Sequence, residues 1–350
     1  MTETAQRICL LTEELHPPFD EGYKNFTYHL FRESAARHEV LRLGSGDPGV
    51  IDVQVQADKL LLNADIRRAI LEFRPDALVY VPVASATPAS FLRSRTLRSY
   101  ARGAPVVMIG LQPRSYPVYL WPILRAVAPD RVYVQSEASR RMLEAIGIDA
   151  GVVHAGVDAE RFRPVEASER ARLRAEHGVA PDAYVVLHVG HINERRNLQG
   201  MADVASASGV QALVVGSTST PQDAGLAASL RESGVIVLDG YAERIEEVYQ
   251  LADLYVFPVF DDTGAVEMPL SVLEAMSCDL PVVSTRFGGL IDRFGGGNGV
   301  YYAESSEALI EQIGRVRQFG EAKNREKVAS YTWPAVVEAF LGDVDELIAR

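Results

Sequence analysis

The sequence predicts an α/β protein of two doubly wound, Rossmann-like domains facing across a cleft. Three observations lead there. Short, continuous apolar runs recur through both halves of the chain, helical patterns separate them, and one polar, charged stretch divides the two series. Apolar strands alternating with helices form parallel sheets covered on both faces, and right-handed crossovers wind each sheet in both directions.

In the first half the strand-like runs are 7–13 (RICLLTE), 39–44, 77–83, 105–111, 131–136 and 150–156, with helical patterns such as 25–38 and 137–147 between them. The second half repeats the plan at 184–190 (YVVLHVG), 211–216, 234–240, 254–259, 281–288 and 299–304. The dividing stretch, VDAERFRPVEASERARLRAEHGVAPDA, carries Pro164 and Pro181 and places a linker near 160–180. The expected domains are therefore 1–165 and 166–332. Residues 333–350 read as a closing helix that starts at Trp333–Pro334, proline being suited to a first helical turn; its expected docking place is the N-terminal domain. Ligands of open parallel sheets bind at the carboxyl ends of the strands.

Composition narrows the function classes. The chain has 350 residues, 47% hydrophobic and 23% charged, as a two-domain globular protein would. A net charge of −12 argues against a nucleic-acid partner, which needs a basic surface, yet leaves room for a phosphate ligand held by a few local cations. Cys9 and Cys278 lie in apolar runs and read as buried free thiols of a reducing compartment. The start, MTETAQRICLL, lacks the basic and apolar regions of a secretion signal, and no run approaches the roughly 18 apolar residues of a membrane span. The expected location is the cytoplasm, with peripheral contact at the inner face of the membrane as a further expectation. Arg95, Arg98 and Arg102 in FLRSRTLRSYAR share one helical side. They suit an anionic membrane or a phosphorylated acceptor, or more simply a solvated face.

Residues 249–289 carry the most chemistry. They read as helix end, buried strand, open loop, short helix and second buried strand. Pro269 fits the first helical position, and the loop DDTGAVEM, with Gly264, can present successive N–H groups to an anion or a sugar hydroxyl. Glu274 stands between Leu273 and Ala275; its two oxygens can accept from both hydroxyls of a ribose, or it is an ordinary helix-face carboxylate. The first strand has no G-x-G-x-x-G turn, which speaks against a dinucleotide oxidoreductase. No H-x-x-x-H or C-x-x-C spacing points to a metal.

The pattern AD-x-x-V-x-P, a loop, LEAM and PVV-x-T-x-x-GG resembles glycosyltransferase family 4, the retaining group 1 type of GT-B enzymes. Further pieces follow in that family's order: Gly22 in PPFDEG, VHAGVDAERFRP at 153–164, VGHINERRNL at 189–198 and YTW near the end. The resemblance implies a GT-B fold with an N-terminal acceptor side and a C-terminal donor domain. It also implies transfer of a hexose-type sugar, with retention, from a UDP- or GDP-type nucleotide sugar (a hexosyltransferase, EC 2.4). The acceptor would be a sugar, a lipid-linked molecule or a small molecule; no tightly bound cofactor and no metal are implied. By the same resemblance Arg196 neutralises the donor diphosphate with Arg195 beside it, and Gly190 lets the backbone approach. Glu274 binds ribose, Tyr241 and Ala242 contact the base, and Gly22, Gly264, Met268 and Leu270 complete the donor contacts. His16, Tyr23 and Lys24, beside the Gly22 loop, fall on the acceptor side.

Three departures bear on the chemistry. The family's second glutamate stands eight positions before Glu274, where this chain has Val266, which is still expected among the donor contacts; Glu267 is one place late and is the expected substitute, as a donor-binding and catalytic group. His191 replaces an arginine and can donate to a phosphate when protonated. MIGLQPRSY offers Gln112 and Arg114 where relatives have a histidine; an amide can donate but is no general base, so Gln112 is expected at the reacting centre and Arg114 on the acceptor side. Together the departures admit an alternative: a catalytically weak or inactive nucleotide-sugar-binding protein or partner subunit.

Overall fold

The computed structural model describes residues 5–56, 58–207, 209–217, 222–238, 240, 242–320 and 322–350. Its contacts divide the chain into two compact units. Unit 1 holds the chain up to Ala155 together with Val266–Met268 and Trp333–Arg350; unit 2 holds Gly156–Ala265 and Pro269–Thr332.

In unit 1 the strands are β1 (Arg7–Leu15), β2 (Glu39–Gly46), β3 (Val53–Gln54), β4 (Ala77–Tyr80), β5 (Val106–Ile109), β6 (Arg131–Val134) and β7 (Ala150–Val152). They form a parallel sheet in the order β3-β2-β1-β4-β5-β6-β7. Unit 2 contains β8 (Tyr184–Val189), β9 (Val210–Val215), β10 (Ile236–Leu238), β11 (Leu254–Phe257), β12 (Val282–Thr285) and β13 (Val300–Ala303). Their order is β10-β9-β8-β11-β12-β13, again parallel. Every run expected as a strand carries one. The edge strand β3 was not foreseen, since two residues show no periodicity. Expected runs such as 77–83 overshoot because apolar residues beyond the strand, Val81 among them, are buried as well.

The two sheets bury separate cores. Leu11, Tyr80, Phe91, Met108 and Val132 represent that of unit 1, and Val186, Val214, Val256, Val283 and Ile313 that of unit 2. Each such side chain contributes about 1.5–3 kcal/mol by leaving water. The helix Trp333–Ile348 packs in unit 1 against the helix Gly22–Ser34. Trp333 stacks on His29 at 4.5 Å and meets Phe26 edge-on at 5.9 Å, while Phe340 sits edge-on to Tyr133 at 5.0 Å.

Residues 156–165 are tied into unit 2, ahead of the expected division at 165. Arg325 donates to the carbonyls of Phe162 and Ala159, each at 2.9 Å, and Ser277 donates to Phe162 O at 2.6 Å. Pro269, expected as the first helical residue, is the N-cap of the helix Leu270–Ser277, with an extended ψ of 121° that its ring tolerates. Arg95, Arg98 and Arg102 are exposed, and Arg98 pairs with Asp130 at 3.0 Å, as on a solvated face. Cys9 and Cys278 are buried free thiols, which burial holds protonated. Among the described residues no helix is long and apolar enough to cross a membrane.

Candidate functional site

In unit 2 the strand order reverses between β8 and β11, and the groups of interest gather where these two strands end. Past β8 the chain passes Gly190, whose N–H donates to Val215 O at 3.0 Å, and then turns at Glu194–Arg196. That turn sends its two arginines in opposite directions. Arg195 lies in solvent, 3.4 Å from Thr263 Oγ1 and 3.8 Å from Asp261. Arg196 turns inward to 8% exposure, its guanidinium carbon 5.9 Å from the centre of the Phe257 ring. Among the described residues the Arg196 guanidinium has no ion pair and no hydrogen bond, and its Nε is buried without a partner. Burial lowers its pKa to about 10, so it stays charged at neutral pH. Buried cations are normally paired, because leaving water unpaired is costly.

Beside it lies His188, fully buried on β8 and not foreseen from sequence. Its Nδ1 is 3.0 Å from Val256 O, which assigns the proton to Nδ1 and leaves Nε2 as an acceptor, buried and without a partner. Burial first, and the Arg196 charge second, hold its pKa near 3, so the ring is neutral. Gly190 is bare where these side chains converge: a Cβ there would be 3.1 Å from Arg196 Nη1 and 3.1 Å from His188 Nε2. His191 is half-buried, near enough to His188 to act on it electrostatically.

Glu274 projects from the helix Leu270–Ser277 and accepts from Tyr249 Oη at 2.7 Å through Oε2. Desolvation raises its pKa, against the smaller pull of Arg161. Tyr255, at the heart of β11, donates to Ser271 Oγ at 2.7 Å and feels both Arg196 and Glu274. Cation and carboxylate therefore belong to one neighbourhood. Gly264 closes a tight turn onto Asp261 O at 2.8 Å, and a Cβ on it would lie 3.0 Å from Arg195 O, so the loop after β11 lies against the Glu194–Arg196 turn. Leu270 is buried as the first residue of its helix, Ala242 is half-buried, and Tyr241 lies outside the described residues.

Unit 1 gathers the remaining candidates. The Tyr23 hydroxyl bonds to Thr12 Oγ1 and lies 3.2 Å from Glu14 O. His16 Nε2 is 3.5 Å from Ser45 Oγ, and Lys24 is close enough to Glu21 to lower its pKa against the dominant effect of burial. Gln112 accepts from Arg114 Nη2 at 3.1 Å through Oε1, and its N–H donates to Ser85 Oγ at 3.0 Å.

Glu267 also falls in unit 1. Expected as a sugar-reading and catalytic carboxylate, it is 2% exposed and committed inside unit 1. Its Oε1 accepts from Ser136 Oγ and from Ser139 Oγ, each at 2.6 Å, and Gln135 N–H approaches Oε2 at 3.3 Å. Ser136 caps the helix Glu137–Ile146, so the carboxylate sits where a helix N-terminus favours negative charge. Its neighbour Met268 is fully buried, with its N–H on Gln135 Oε1 at 3.2 Å. Val266, in the position of the missing glutamate, packs on Gly22: a Cβ there would be 2.8 Å from Val266 Cγ2. Gly22 is half-buried, with Val266 against one side of it. Gly22→Ala is expected to destabilise unit 1 by about 1–3 kcal/mol through overpacking. Adding Val266→Ala should recover most of that loss in urea denaturation; no recovery would mean the two residues do not touch.

Two doubly wound parallel α/β units are the architecture of the GT-B fold. Residues 183–318 match the family described as Glycosyl transferases group 1. The chain's relatives include D-inositol 3-phosphate glycosyltransferase 2 of Catenulispora acidiphila, 27% identical over 242 residues that cover 61% of this chain and 55% of that protein. Sulfoquinovosyl transferase SQD2 of Arabidopsis thaliana is 28% identical over 258 residues, covering 67% and 47%. The chain spans about half the length of these relatives. Among solved structures, Anabaena Alr3699/HepE in complex with UDP has a TM-score of 0.78 at 16% identity, covering 97% of this chain and 100% of that one. Sucrose-phosphate synthase of Thermosynechococcus elongatus has a TM-score of 0.74 at 17% identity, covering 98% and 99%.

Proposed function

We propose that the chain transfers a hexose, with retention, from a UDP-type nucleotide sugar, as a member of glycosyltransferase family 4. The observation that carries this reading is Arg196, a buried cation without a carboxylate partner, beside the bare Gly190. A diphosphate supplies the missing anion. Glu274 supports the nucleotide end, since Tyr249 holds Oε2 and Oε1 can accept from a ribose hydroxyl. The neighbour HepE was solved with UDP and with UDP-glucose, which favours UDP as the first nucleotide to test. Arg195 and His191 stand near the diphosphate in this reading, Tyr241 and Ala242 near the base, and His16, Tyr23, Lys24 and Arg114 on the acceptor side. The bond from the anomeric carbon to the phosphate oxygen breaks as the acceptor oxygen bonds to the same face. The acceptor's proton passes to the departing phosphate oxygen, and Arg196 stabilises the charge that grows there.

A second reading, a nucleotide-sugar binder without turnover, is favoured by two commitments: Glu267 is taken up by Ser136 and Ser139, and the Gln112 amide oxygen by Arg114. UDP release from a panel of UDP-sugars and acceptors separates the two. Turnover supports the enzyme; UDP binding without turnover supports the binder.

Glu274→Ala is expected to weaken UDP about 10–100-fold, the loss of hydrogen bonds to a charged acceptor, and 2′,3′-dideoxy-UDP hardly at all. The raised pKa of Glu274 adds a pH signature. Ribose binding needs the ionised form, so affinity should fall on acidification at a higher pH than for an ordinary carboxylate, and the variant should lack that fall. Equal losses for both nucleotides in calorimetry would remove Glu274 from the ribose.

A further inference from the structure

We infer that His188 is a positioning residue for Arg196, an inference that rests on the diphosphate reading of this site. When an anion docks, the unprotonated Nε2 of His188 accepts an N–H of the Arg196 guanidinium and fixes the fork, leaving its other N–H groups for phosphate oxygens.

The geometry leads to this step by elimination. His188 is fully buried, and the bond from Nδ1–H to Val256 O at 3.0 Å fixes both tautomer and ring orientation. Nε2 is consequently a lone-pair acceptor, buried with no partner. A buried acceptor left without a donor costs about 1–3 kcal/mol, a cost that a phenylalanine at the same place would not carry. A diphosphate offers oxygens only, and an oxygen set against the Nε2 lone pair would be repelled. A donor has to meet it. Arg196 Nη1 is the donor at hand: both atoms lie 3.1 Å from the place a Cβ on Gly190 would take. The aromatic walls Tyr255 and Phe257 confine the imidazole, with ring centres 6.3 Å and 6.4 Å away. A ring that stays neutral in this setting is an acceptor, not a general base. The buried Nε2 acceptor and the inward-turned guanidinium can thus be satisfied together, with the anion completing the network.

The test is UDP affinity of the full chain by calorimetry, with wild type beside His188→Asn, His188→Phe and His188→Gln. Asparagine keeps a donor near the Nδ1 position and loses the Nε2 acceptor; phenylalanine loses both; glutamine carries an acceptor near the Nε2 position. Asparagine and phenylalanine are expected to weaken UDP about tenfold, and glutamine to recover to within about threefold of wild type. Because a core substitution can unfold the chain, wild-type protein with ¹⁵N-labelled histidines is followed as well. UDP saturation should shift the unprotonated Nε2 resonance of His188 as it gains a donor. Wild-type affinity in the phenylalanine and asparagine variants, or an Nε2 resonance unmoved at saturation, overturns the role of His188 while the diphosphate reading stands. Failure of the wild type itself to bind UDP or any other nucleoside diphosphate overturns that reading, and this inference with it.

Discussion

Replacing Arg196 with methionine is expected to make unit 2 more stable and to remove nucleoside-diphosphate binding. A pKa lowered by burial to about 10, well below the ordinary arginine range, means the folded state holds this charge at a cost. At about 1.36 kcal/mol per unit the cost is on the order of 3 kcal/mol, and about 1–3 kcal/mol should be recovered once packing losses are counted. Methionine fills similar volume, keeps contact with Phe257 and needs no anion. The penalty is present wherever the native arginine is held charged, below about pH 10, and fades above it. The stability gap between variant and wild type should therefore be widest at neutral pH and narrow in strong alkali. Binding moves the other way. Removing one partner of a buried, hydrogen-bonded charge pair costs about 2–5 kcal/mol, so UDP affinity should fall at least ~30-fold. Thermal unfolding with and without UDP checks both halves, since a ligand that binds the folded state raises its melting temperature. A variant that melts below wild type and still responds to UDP would overturn the assignment of Arg196 to the anion.

Glu267→Ala is expected to do the reverse: a loss of about 2–4 kcal/mol from unit 1 with UDP affinity unchanged. The substitution strands the hydroxyls of Ser136 and Ser139 and the N–H of Gln135 in a buried place, and each unsatisfied group costs about 1–3 kcal/mol. The favourable placement of a carboxylate at a helix N-terminus is lost as well. The helix start itself should survive, because Ser136 Oγ still accepts from Ser139 N at 3.1 Å. Denaturation and calorimetry on one preparation distinguish the outcomes. A tenfold loss of UDP affinity at unchanged stability would return Glu267 to the donor site.

The two sheets were legible because burial on both faces demands continuous apolar runs, and every such run in the chain carries a strand. The edge strand Val53–Gln54 escaped because an edge of two residues imposes no pattern. Glu274 and Arg196 stand out in the sequence through the order of their motifs. Their local sequence alone permits a solvated glutamate and a solvated turn, and for Arg195 the solvated turn is what the structure has. Tyr249, which holds Glu274, and Tyr255, which Arg196 and Glu274 both influence, gave no signal because they read as core residues of their own elements. For Glu267, spacing from Glu274 measures distance along the chain, whereas donors from Gln135, Ser136 and Ser139 hold its carboxylate in the fold.

The sequence by itself determined two parallel α/β domains, the order of the group 1 motifs and the residue types a nucleotide sugar would need. The tertiary structure decided which of those residues are committed elsewhere. It turned Arg196 inward without a carboxylate, set a neutral His188 beside it over the bare Gly190, and drew Glu267 into unit 1 with Val266 seated on Gly22. The physical reason is that strand and helix patterns are local, repeated along the chain and enforced by burial. The partner of a single charge is chosen by whichever donors or acceptors the fold brings within about 3 Å, and those lie tens to hundreds of residues away.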